Sequence, residues 1–351
     1  MAAISIGSAV GAGFQLIGRK PLTVLAWGLV RILFAAGVFA VMAPNIFAMM
    51  SDAVQNAAAM RAGGGEMGPQ SPAVAAMMSH VMVMQGFSYL AQICGLFISA
   101  ILACAIARSI VHPERGAVAY LRLGGPEFFL AVLTFAAAIA FFIAILVFAI
   151  PVGIGAAILA TKQMWAAMAA VIVLGVVVAL AVLIYVLLRF AFVAPMMVDD
   201  GQFHLFDAWS LTKGHVGALF AIAICLLLIL MVGEAIVGAI FFAIVGGAIA
   251  VSAGGFTRAA MEAFFAQPPT EIFAHMAPWL IGVAVLAIPI QGCVMAILTA
   301  PWARAYRDVV PPLAMVTPAA AAPPPQAPMP EPPPEPPPEP PPAPGPAPAA
   351  V

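Results

Sequence analysis

The sequence predicts an all-α integral membrane protein: six transmembrane helices, interfacial amphipathic elbow helices and a disordered Pro-rich C-terminal tail. Three observations predict it. Of 351 residues, 64% are hydrophobic and 8% charged, against about 45–50% and 25% in an ordinary soluble domain. The apolar residues form continuous runs of about 20 or more rather than alternating, which selects helices over barrel strands. From Pro311 to Val351 the chain is mostly Pro and Ala, a composition that builds neither helix nor sheet ladders.

The runs fall at about 22–48, 83–108, 128–150, 165–189, 217–245 and 279–301, each near or above the roughly 20 residues that cross a hydrocarbon core. The segment before the first is too long and amphipathic for the basic leader of a signal peptide, so the first span is expected to be retained. The fifth run continues to Ala253, about 37 residues or roughly 55 Å as a helix, against a core of about 30 Å. It is one over-long helix or two.

Basic residues decide, because cytoplasmic loops are enriched in Lys and Arg. With six spans and the N-terminus inside, the cytoplasm holds Arg19, Lys20, Arg108, Arg115, Arg122, Arg189, Lys213, Arg304 and Arg307. Arg61, Lys162 and Arg258 face out, and Arg31 lies within a span. Splitting the fifth run moves Arg258 inside but expels Arg304 and Arg307. Six spans in a bacterial inner membrane, both ends cytoplasmic, is therefore the expectation, with a bend or interfacial extension at Gly246-Gly247 absorbing the extra length.

Short segments with an aromatic, a leucine and then Gly or a cation precede the odd-numbered spans. They are Gly13-Phe14-Gln15-Leu16 up to Lys20, Ala119-Tyr120-Leu121-Arg122-Leu123-Gly124, and Ala208-Trp209-Ser210-Leu211 up to Lys213-Gly214. Such segments suit interfacial helices with Phe14, Tyr120 and Trp209 at headgroup depth. Three hairpin units of about 100 residues would follow. The alternative stays open that any loop entering a membrane carries these residues.

Arg189-Phe190-Ala191-Phe192-Val193-Ala194-Pro195, then Asp199-Asp200-Gly201, then Asp207-Ala208-Trp209-Ser210-Leu211-Thr212-Lys213-Gly214 resembles the bacterial integral membrane domain found ahead of some glycerophosphoryl diester phosphodiesterases and also alone. Ser5-Ile6-Gly7 to Lys20-Pro21 and Ala305-Tyr306-Arg307-Asp308 resemble its ends, so the likeness covers residues 1 to about 310. It implies a helical bundle with no assigned molecular role. It does not imply phosphodiesterase activity, which belongs to a separate soluble domain.

Catalytic motifs are absent: no HExxH, GxSxG or Walker loop occurs. Asp199-Asp200 invites comparison with metal-binding aspartates, yet Phe203 and His204 stand where further carboxylates would be needed, and Gly201 favours a turn. Met77, His80 and Met84 share one helix face and would suit Cu(I). With 20 methionines along the chain, gap-filling is the simpler reading, and no metal or cofactor is expected. Cys94, Cys104, Cys225 and Cys293 read as small buried hydrophobes, and His112, His204, His215 and His275 as solvated loop or elbow residues.

Charges within spans say more, because an ionisable group at mid-depth is costly and tends to face a cavity or a partner. Counting about 1.5 Å per residue from the nearest basic residue puts Arg31 roughly 16 Å deep, Ser99 roughly 14 Å and Gln291 roughly 20 Å. Pro289 removes a helix hydrogen bond beside Gln291. Arg31, Ser99 and Gln291 are thus candidates to line a polar cavity for an anionic headgroup or solute. The competing reading has Arg31 snorkelling to the interface and binding nothing. Glu234, about 32 Å along by the same count, is placed at the far interface.

Three roles follow. The first is a non-enzymatic membrane protein, tied by resemblance to lipid or envelope homeostasis. The second is a transporter or lipid-handling permease with a cavity at Arg31. The third is a scaffold whose tail, with Glu331, Glu335 and Glu339 spiralling around a polyproline II rod, docks a protein partner. Membrane lipids are the expected partners. A net charge of -1 gives no field to attract nucleic acid, and the lack of an ATP site or paired broken helices disfavours energised transport.

Overall fold

A computed structural model describes residues 4–61, 72–114, 118–203 and 205–310. The described residues form helices and connecting turns, with no strand among them. The tail beyond residue 310, with the disorder expected of it, lies outside them, as do Arg115 and His204.

The chain opens with α1 (Ile6–Arg19), whose Ala9, Gly13 and Leu16 form the buried stripe of an amphipathic helix. Pro21 then begins α2 (Pro21–Arg61), at a position where a missing N–H is harmless. There follow α3 (Pro72–Val111), α4 (Gly125–Thr161), α5 (Trp165–Arg189), α6 (Val193–Asp200), α7 (Leu205–Leu211), α8 (Val216–Ala253), α9 (Arg258–Phe265) and α10 (Pro269–Val309).

Six helical stretches are long and apolar enough to cross a membrane: Pro21–Asn56, Met77–Val111, Gly125–Thr161, Trp165–Asp200, Val216–Ala253 and Pro269–Val309. The chain is a multi-pass membrane protein with six such stretches. Every expected span lies inside one of these stretches, and all six run longer, from 35 to 41 residues. That is about 53–62 Å against a core of about 30 Å, so they tilt or project beyond it.

One alternative is decided and one expectation is corrected. The helix of span five is continuous through Gly246 and Gly247 and ends only where Gly254 takes φ +80. The intrahelical hydrogen-bond ladder of an apolar segment outweighs the low helix propensity of two glycines when no water is present to receive the freed groups. The second elbow is a single 3-10 turn, Val118–Tyr120, not an amphipathic helix. Ala119 and Tyr120 both have positive φ there, 52 and 57, a backbone that cannot propagate a right-handed helix. Elbow helices thus stand before the first and fifth spans, as α1 and α7, but not before the third.

Both ends of the membrane unit meet. The backbone N–H of Ser5 donates to Asp308 Oδ2 at 3.3 Å, as an even number of crossings requires. The end where they meet also carries Arg19, Lys20, Arg108, Arg189, Arg304 and Arg307 and is called the basic end below.

Three of the four buried clusters lie in the basic half. Leu188, Phe192, Leu219 and Tyr306 join α5, α8 and α10. Cys104, Ala107, Leu130, Met197 and Ala303 join α3, α4, α6 and α10. Val24, Trp27, Leu102, Ile106 and Ala300 join α2, α3 and α10. The fourth, of Ala248, Phe264 and Met276, lies in the opposite half. Elsewhere side chains such as Phe142, Ile150, Leu174 and Leu228 are exposed, a cost-free condition against lipid.

The closest contact is between α2 and α10. A Cβ added to Gly28 would fall on the carbonyl oxygen of Ile288, and one on Gly292 would fall on that of Val24. Gly28→Ala or Gly292→Ala should each cost about 1–3 kcal/mol through overpacking. The control Gly282→Ala, with nothing within 4 Å of its Cβ, should be neutral or slightly stabilising. Thermal unfolding in detergent measures all three, and an unshifted Tm for Gly28→Ala would rule out this contact.

Candidate functional site

The α2–α10 crossing fixes the rotation of α2. One turn past Gly28, Arg31 is half-buried and its Nη1 donates to Ser99 Oγ of α3 at 2.9 Å. A guanidinium carries five N–H donors, and no other partner of Arg31 is found among the described residues. Among the described residues no carboxylate neutralises it.

Beyond Arg31 toward the opposite end, a cavity of about 270 Å³ opens between α2 and α3, with Phe34, Val38 and Met42 on one wall and Phe87, Leu90 and Cys94 on the other. Its α2 wall continues the helix face on which Arg31 lies, at i+3, i+7 and i+11. Phe34 to Met42 spans about 12 Å. The site is thus a cation at the foot of an apolar groove. Ser99 also lines a second cavity of about 300 Å³, between α3, α4, the α5–α6 junction and α10, with Thr134, Thr299, Pro195 and Trp302.

Gln291 does not join this pair. It is half-buried on α10, and no hydrogen bond among the described residues links it to Arg31 or Ser99. The crossing register explains why. Gly292 lies against Val24 and Ile288 against Gly28, so Gln291 sits at the height of Val24, about 9 Å nearer the basic end than Arg31. The depth count assumed that Arg304 lies level with Lys20, whereas α10 projects well past the start of α2.

The elbow aromatics have different fates. Phe14 is exposed and free to lie at headgroup depth. Tyr120 is buried and serves a polar knot: Lys20 Nζ donates to its hydroxyl, that hydroxyl donates to Pro113 O at 2.9 Å, and Trp27 Nε1 donates to Ala119 O at 2.8 Å. Trp209 is half-buried, with the Arg189 guanidinium 4.7 Å from its ring centroid.

Sequence reasoning did not anticipate two further features of the basic end. Arg108 pairs with Glu127, both buried, while its Nη1 donates to Tyr120 O at 2.7 Å. Asp199 Oδ2 accepts from the Tyr306 hydroxyl at 2.9 Å, and its Oδ1 lies 3.4 Å from His112 Nε2, an ion-pair distance out of line for a hydrogen bond. His112 is therefore not a solvated loop histidine. His275 is not one either, since it lies within α10 with Nδ1 2.8 Å from Glu271 O. The available signal was Glu127, a carboxylate opening an otherwise apolar span.

Asp200 makes the expected turn: its Oδ1 accepts from Gln202 N–H at 2.9 Å, and Gly201 takes φ +76. His80 Nε2 lies 3.2 Å from Asp52 Oδ2, so a carboxylate of α2 is its neighbour. Among the described residues no group of three or more His, Cys, Asp or Glu is placed to hold a metal. Glu234 is exposed midway along α8.

Comparison with known proteins finds no matching family model, curated protein or solved structure.

Leaving Arg108 buried and unpaired should be severe. Glu127→Ala should destabilise the bundle by about 3–5 kcal/mol, whereas Arg108→Met with Glu127→Leu should recover most of it. Thermal unfolding of the single and double variants checks this, and equal Tm values for all would show the pair to be solvated.

Proposed function

We propose that the chain is a non-enzymatic, multi-pass protein of a bacterial inner membrane, with its basic end in the cytoplasm, that handles an anionic amphiphile at Arg31. One observation carries this: the guanidinium, inside a membrane-spanning helix, has a single neutral partner and lies at the foot of an apolar groove. Placing a cation at such depth is costly, and a protein keeps one there when it meets an anion or lines a polar path. An amphiphile fits both parts, its acidic head on Arg31 and its chain along Phe34, Val38 and Met42. Snorkelling is less favourable, because the Ser99 bond holds the guanidinium against α3 rather than along α2 toward the interface.

The likeness of residues 1 to about 310 to the membrane domain associated with glycerophosphoryl diester phosphodiesterases supports a role in lipid or envelope homeostasis. It adds no reaction. A docking role for the Pro-rich tail rests on residues outside those described.

Native mass spectrometry of the gently extracted protein tests the reading. Wild type should retain an anionic lipid or other amphiphile; Arg31→Ala should lose it, and Arg31→Lys should keep part, because a point charge replaces a bidentate fork. Retention of the same species by Arg31→Ala would end the proposal.

A further inference from the structure

We propose that the cavity at the end of α3 is a docking site for the phosphate-bearing headgroup of a membrane lipid, received by Arg122. This cavity, about 490 Å³, is lined by Arg108 and His112 of the α3 end, Arg122 to Gly124, Glu127 of the first turn of α4, and Val198 of α6. It is separate from the Arg31 groove and does not depend on Arg31 holding a ligand.

The charges divide cleanly. Arg108 is neutralised by Glu127. His112 stands against two carboxylates that do not line the cavity, with Nε2 3.4 Å from Asp199 Oδ1 and Nδ1 3.6 Å from Glu114 Oε1. Arg122 is exposed and has no hydrogen-bond or ion-pair partner among the described residues. The cavity therefore presents one uncompensated guanidinium, whose fork matches the oxygens of a phosphodiester.

The rim distinguishes a lipid from a soluble anion. Leu123, next to Arg122, is 87% exposed. Directly after Glu127 in the chain, the rings of Phe128 and Phe129 are exposed and run on to exposed Phe203, with centroids 6.3 Å and 6.1 Å apart. A free cation beside bare leucine and phenylalanine suits the boundary between headgroups and acyl chains, where each finds its own solvent. A soluble phosphate would gain nothing from that rim.

The place in the fold gives the site a further meaning. One helical turn deeper along the same three helices, Ala107, Leu130 and Pro195 line the cavity that contains Ser99. The Arg108–Glu127 pair lines the outer of the two. The headgroup site is thus the interfacial station above the space that reaches the Arg31–Ser99 bond.

The test uses the delipidated full chain in detergent, titrated with a short-chain phosphatidylglycerol and followed by native mass spectrometry. Wild type should take two lipids. Arg122→Gln should weaken one of them by about 10- to 100-fold, the loss of a charge-assisted contact, and Arg122→Lys should restore part of it. Arg31→Gln should remove the other alone, so the two sites fail separately. Arg122 is exposed, and an unchanged Tm will show that Arg122→Gln folds. Two undiminished adducts in Arg122→Gln would overturn the proposal. So would displacement of the Arg122-dependent adduct by excess inorganic phosphate, or equal binding of a short-chain diacylglycerol without phosphate.

Discussion

Where Gly28 of α2 meets Gly292 of α10, two helices approach until neither accepts a Cβ. Between apolar helices in lipid there is no hydrophobic drive to associate, so close backbone packing and polar bonds must hold a bundle together. The same device recurs where Gly13 of α1 lets Ile297 of α10 approach, with its absent Cβ only 2.7 Å from that Cα. Together these contacts clamp the first and last spans, and through the bond from Ser5 to Asp308 they close the unit end to end. The heights of Arg31, Trp27 and Gln291 relative to their neighbours all follow from this register.

A bundle clamped at one half is free to open at the other. Val24, Trp27, Ile106, Leu188, Leu219 and Ala300 are buried toward the basic end, while the opposite halves of α4, α5 and α8 expose most of their apolar residues. In water such exposure would collapse the helices onto one another. In lipid it costs little, so α2 and α3 can separate and leave a groove beginning just beyond the Arg31–Ser99 bond. The groove is thus a consequence of where the clamps lie, and the same asymmetry puts Arg31 at the border between the packed and open halves.

What the sequence made legible was whatever depends on a single helix. Six spans, their order and the common face of both ends follow from run length and basic residues, and the structure contains them. The Arg31–Ser99 contact was also within reach, because both residues lie at similar counts from their own helix starts. Gln291 was not, since its height depends on how far α10 slides along α2, a property of two glycines on different helices. Tyr120 was misread for a related reason: an aromatic beside a cation looks interfacial in sequence, and only the positive φ of Ala119 and Tyr120 turns the ring inward. The Arg108–Glu127 pair joins residues 19 apart across a non-helical loop, and no periodicity announces it.

The arginines show how one residue type can hold a fold in one place and leave a site in another. Arg108 has a carboxylate and a carbonyl, and Arg189 has Trp209 O at 3.2 Å with the Tyr185 and Trp209 rings beside it. Their charges are spent within the protein. Arg31 has one hydroxyl and Arg122 none of its own. Neutralising a buried cation internally favours a single packed arrangement, whereas leaving one short of partners favours whatever anion can reach it. Arg31 and Arg122 border separate spaces along α3, and the Arg108–Glu127 pair lines the Arg122 cavity with its charges already matched. An anion entering that cavity therefore meets Arg122 as its free cation, while the pair that stabilises the basic end keeps Arg108 engaged with Glu127.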